Sequence, residues 1–209
     1  MTNPIAFTPE EWEEIYLTPM FAAQLIVAQH PGKMGRIADL AAAFTVMQNP
    51  AADDAYLANL RKKNPLSAMY SVTAKAKNPR KKKQRHFPLD TLEPATDVDA
   101  PELIQYLVGE VHRRTEVSGV VESPVKAKEV QTEEQFGALL ARIQKSAALV
   151  AEKATPEEAD AWRAWVMRTA EVSAQAAQEK TESGDKVWVS EPEKAMLERI
   201  QQALGADND

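Results

Sequence analysis

The chain has 209 residues, 44% hydrophobic and 27% charged, with a formal net charge of -6 and no cysteine. This is enough for one large or two small folded domains, and the composition is that of an ordinary folded chain. The missing cysteines exclude disulfides, thiol nucleophiles and thiolate metal sites and fit a reducing cytosol, while the net acidity gives the molecule as a whole no nucleic-acid footprint.

Ala is common, Gly is rare and strand-forming runs are few, so the expected class is all-α: an irregular bundle of six to eight helices, in one body or two small lobes. The first residues, MTNPIAFTPEEWEE, are acidic and lack the basic-then-apolar order of a signal peptide. Thr8 can accept the amide of Glu11 while Glu11 reaches back to Thr8, a capping box with Pro9 at the first helical position. A helix should run from Pro9 with Trp12, Ile15 and Tyr16 inward. Pro19 removes a ladder bond, which predicts a kink or break near Thr18. Beyond it, MFAAQLIVA is apolar almost all round, the pattern of a helix at the centre of a bundle. Met20 to Ala28, interrupted by Gln24, is too short to span a bilayer, and the expected location is the cytoplasm.

His30-Pro31-Gly32 ends that helix. A second is expected from about Met34 to Met47, stopped by Asn49-Pro50, and a third from about Ala51 to Lys62, stopped by Asn64-Pro65. Residues 1–63 read as N-terminal helices and 64–98 as a Pro-punctuated connector. Leu66 to Ala76 fits a helix or a short strand. The connector also holds KAKNPRKKKQRH, in which Lys75, Lys77, Arg80, Lys81, Lys82, Lys83 and Arg85 place seven positive charges in eleven residues. That run carries +7, so the other residues sum to -13 against the total of -6. It could neutralise phosphates, dock on an anionic membrane surface, meet an acidic face of a partner or of the chain itself, or simply be a solvated loop.

Residues 99–205 read as a C-terminal helical bundle and 206–209 as a loose tail. Asp99 with Pro101 and Glu102 opens a helix that carries Leu103, Ile104, Leu107, Val108 and Val111 and frays through His112-Arg113-Arg114. Val117 to Val130 is a weak connector with room for a short strand. Thr132 with Gln135 is another capping box, opening a helix with Phe136, Leu139, Leu140, Ile143, Ala147 and Val150 inward. The longest clean helix signal follows, Thr155 to Glu179, opening on the same Thr-Pro-Glu-Glu device as the first helix. The short turn between these two helices predicts that they pack antiparallel. Trp162 and Trp165 lie on the apolar stripe of the second and read as core, with an aromatic ligand face as the rival. Buried polar groups beside them would favour a ligand pocket, and a dry contact would count against one. Lys186 to Val189 should be extended, with Trp188 tucked over the bundle; Ser190 with Glu193 is a fourth box, and Gly205 should cap the last helix.

The pattern TPEEADAWRAWVM followed by VSEPEKAMLERIQQALG resembles the C-terminal part of a group of uncharacterised bacterial all-helical proteins of no assigned function. The resemblance covers residues 155–205 and implies helices and no activity.

For chemistry the sequence offers little. His30, His86 and His112 are far apart, no Glu-x-x-His pair exists, and no nucleophile stands with a base, so no metal, cofactor or catalytic residue is assigned. The paired carboxylates Glu10-Glu11 and Glu13-Glu14 read as caps and solvated faces. The expected function is a non-enzymatic interaction or scaffold protein with the basic run as contact site and a protein as partner. Nucleic-acid association through residues 75–85 is the alternative, and a helical enzyme or small-ligand binder with a pocket near Trp162 and Trp165 is a third class.

Overall fold

The computed structural model describes residues 4–30, 33–52, 92–118, 130–180 and 186–205. These form a 3₁₀ turn (Pro4–Ala6), six α-helices and one two-stranded hairpin, so the all-α class holds. The helices are α1 (Pro9–Gln29), α2 (Lys33–Gln48), α3 (Glu102–Ser118), α4 (Glu133–Lys153), α5 (Pro156–Ala174) and α6 (Glu191–Ala203). The hairpin pairs β1 (Glu179–Lys180) with β2 (Lys186–Val187), antiparallel, with Glu179 opposite Val187 and Lys180 opposite Lys186. The helix expected over about 51–62, the ambiguous stretch 66–76 and the basic run fall outside the described residues from position 53 on.

The organising element is α1. Every residue from Ile15 to Val27 is buried, and α1 packs against all five other helices. A helix that is apolar on every side can lower its free energy only by being surrounded. Buried side chains from Phe7 to Leu204 form one continuous core around it. α5 lies chiefly against α2 and α1, and α4 against α1 and α6. The two helices joined by the short turn touch each other, and each packs more extensively against α1.

Local capping set the helix starts as expected. Thr8 N–H donates to Glu11 Oε2 at 2.7 Å and Glu11 N–H to Thr8 Oγ1 at 3.2 Å. The box at Thr132 and Gln135 has the same two bonds, at 2.9 and 3.3 Å. At α5, Thr155 N–H and Oγ1–H both donate to Glu158 Oε2, at 3.0 and 2.8 Å. At α6, Ser190 N–H and Oγ–H both donate to Glu193 Oε2, at 2.8 and 2.9 Å. Gly205 adopts φ of 71° after α6, the left-handed conformation that suits a glycine cap. Gly109 in α3 serves a different need: a Cβ there would meet the Glu93 carbonyl, and the 92–95 backbone lies against α3 through Ala95 N–H donating to Gln105 O at 3.0 Å.

Four expectations are corrected. First, of the kink or break expected near Thr18, the break is absent: α1 continues as one helix to Gln29. Pro19 cannot donate to Ile15 O, the carbonyl four residues back, yet that oxygen is not orphaned: Trp162 Nε1–H of α5 donates to it at 3.3 Å. Second, the helix expected to reach Glu179 ends at Ala174, where Gln175 N–H still bonds Glu171 O and Ala176 N–H tightens to Ser173 O at 3.1 Å. Ala176 stays buried, so the apolar pattern runs on while the backbone leaves the helix for the hairpin. Third, Trp188 is not tucked in. It is 46% exposed, while Val187 and Val189 on either side are half-buried and Val189 packs on the core. An extended segment puts alternate side chains on opposite faces, and the two valines take the inner one. Fourth, α3 does not fray through His112-Arg113-Arg114 but stays helical to Ser118, so Val117, assigned to a connector, lies in its last turn.

Candidate functional site

Of the residues singled out from the sequence, Lys75, Lys77, Arg80, Lys81, Lys82, Lys83 and Arg85 lie outside the described residues. Trp162 and Trp165 are described and stand together on α5, three residues apart on the face turned to α1 and α2. They are 0% and 3% exposed, so neither ring is offered to solvent. Each indole N–H has an acceptor: Trp162 donates to Ile15 O at 3.3 Å, and Trp165 to Val46 O at 3.2 Å.

The two acceptors share a cause. The residue four positions after Ile15 is Pro19, and the residue four positions after Val46 is Pro50. Neither proline has an N–H to complete the helical bond. Each tryptophan therefore satisfies a carbonyl that a proline leaves open, one inside α1 and one in the last turn of α2. Further along the same face Ser173 Oγ–H donates to Asp39 O at 3.1 Å. Thr169 and Ser173 are the polar side chains of this stripe; both are fully buried, and Thr169 Oγ1–H donates to the Trp165 carbonyl at 2.8 Å. The hydroxyls and both indoles are thus committed to backbone oxygens, an arrangement that fixes α5 against α1 and α2.

A second constellation surrounds the first half of α1, and sequence reasoning missed it. Three of the glutamates read as caps and solvated faces meet cations from other helices. Glu11 pairs with Lys153 of α4 at 2.6 Å. Glu14 takes a two-pronged contact from Arg142 of α4, at 2.6 and 3.1 Å. Glu13 lies 3.5 Å from Arg114 of α3. Each of these cations also covers an aromatic ring: Lys153 sits 5.6 Å from the Phe7 centroid, Arg142 4.1 Å from that of Phe21 and Arg114 4.6 Å from that of Tyr16. Glu110, only 1% exposed, joins Arg114 at 2.6 Å and also Arg113.

The electrostatics follow from these contacts. The hydrogen bond from Lys153, aided by the Thr8 amide, lowers the Glu11 pKa. Burial raises that of the Tyr16 hydroxyl, which stays neutral. Burial works against the Arg114 charge, while the Glu110 and Glu13 carboxylates favour it, and the pKa is raised. The sequence cue to these pairs is that Glu11, Glu13 and Glu14 crowd the start of the helix that carries MFAAQLIVA, where each acid needs a partner from elsewhere. At the α2 end, His112 Nε2 meets Gln48 O at 3.0 Å and Gln48 Nε2 donates to Thr115 Oγ1 at 3.4 Å, which docks α3 there.

Among the described residues no three His, Asp or Glu side chains gather as a metal site, and no helix is long and apolar enough to cross a membrane. Comparison with known proteins found no matching family model, no similar characterised protein and no similar solved structure.

Proposed function

We propose that this is a non-enzymatic helical interaction or scaffold protein whose contact segment is the basic run from Lys75 to Arg85. The observation that carries the reading is the charge asymmetry: +7 within eleven residues against -13 over the rest of the chain. Attraction of that density toward an anionic surface is long-ranged and needs no preformed pocket. The commitment of Trp162 and Trp165 to backbone carbonyls supports the same reading, because it leaves the pocket alternative without its aromatic platform. The partner is an acidic protein surface. An acidic body behind a basic segment repels a long, dense polyanion at the same time as the segment attracts it.

The test compares wild type with Lys81→Gln/Lys82→Gln/Lys83→Gln for binding to a short glutamate-rich peptide, duplex DNA, single-stranded RNA and anionic vesicles across a salt series. Wild type is expected to hold the acidic peptide near physiological salt and to lose the nucleic acids and vesicles there. The triple variant should bind more weakly at every salt concentration, with a flatter salt dependence. Retention of RNA or DNA alone would replace the protein partner with a nucleic acid. Indifference to every polyanion even at low salt would overturn the proposal.

A further inference from the structure

We draw no further inference here: the strongest candidate, the surface patch formed by the exposed Trp188 indole beside the base of the β1–β2 hairpin, carries nothing because nothing in the structure shows what covers it.

Discussion

α1 and α5 begin with the same four residues, Thr-Pro-Glu-Glu, and the same capping box, yet they occupy opposite situations. α1 is buried all round from Ile15 to Val27, whereas α5 keeps an exposed edge, with Ala164 open to solvent. The cap fixes where a helix starts, through a few local hydrogen bonds. Where the helix sits is decided by how far around its circumference the apolar residues extend. α5 also gives to α1 what α1 lacks, since the indole of Trp162 stands in for the amide that Pro19 removes. The later helix thus completes the earlier one.

The largest expected effect separates the two helices by burial. Ala22 of α1 is 0% exposed. Ala22→Asp puts an unpaired carboxylate in the centre of the core and should cost more than about 4 kcal/mol, enough to unfold a domain of ordinary stability. Ala164→Asp on the open edge of α5 should change stability by no more than about 0.5 kcal/mol. Circular dichroism during guanidinium denaturation reads both. A well-folded Ala22→Asp protein with a wild-type midpoint would remove α1 from the centre.

The next effect tests the donor exchange. Trp162→Ala should cost about 3–5 kcal/mol, mostly from lost volume. Trp162→Phe keeps much of that volume but strips the donor from Ile15 O, and should cost roughly 1–3 kcal/mol. In a Pro19→Ala background the restored amide can bond Ile15 O, so Trp162→Phe should then cost about 1 kcal/mol less. Trp165→Phe with Pro50→Ala should couple less, because Pro50 lies beyond the end of α2 and an alanine there need not adopt helical geometry. Additivity within about 0.5 kcal/mol in the Trp162–Pro19 cycle would mean that the indole bond is incidental.

The same pair shows what a sequence makes legible. The four boxes were readable because each donor lies within three or four positions of its acceptor. The apolar girdle of α1 was equally plain in MFAAQLIVA. The continuity of α1 through Pro19 was not, because the compensating donor lies 147 positions away. The end of α5 was missed because Ala176 and Ala177 prolong a helical pattern that the turn into the hairpin overrides. Trp188 turns outward because its two valine neighbours take the inner face of the extended segment. Of the candidate site, the tryptophans were located correctly on the apolar stripe of α5 and their bonding partners were not visible. The partners of Glu13 and Glu14 come from α3 and α4, beyond any local window.

A smaller effect concerns acid at the start of α1. Glu11 has a folded-state pKa below its unfolded value of about 4.3, because Lys153 and the Thr8 amide favour its charged form. Its contribution is therefore complete above that unfolded value and is lost as pH falls through the folded one. Between about pH 5 and pH 3 the denaturation midpoint of wild type should fall more steeply than that of Glu11→Gln. Parallel slopes would show that Glu11 gains nothing from these partners in the folded state.

The smallest effect returns to the shared cap and asks whether identical residues carry equal weight. Thr8→Ala and Thr155→Ala each remove a side-chain acceptor from one helical amide, a loss of about 0.5–2 kcal/mol. Their partners differ in surroundings. Glu11 keeps Lys153 as a second donor at 2.6 Å when Thr8 is truncated. Glu158 is 4% exposed and takes both Thr155 N–H and Thr155 Oγ1–H on the same oxygen, so truncation strips one donor from a buried carboxylate. A buried acceptor that loses a donor costs more than an exposed one that water can reach. Thr155→Ala should therefore fall near the upper end of that range and Thr8→Ala near the lower. Equal losses in the two variants, measured by chemical denaturation at neutral pH, would show that burial of Glu158 adds nothing to its cap.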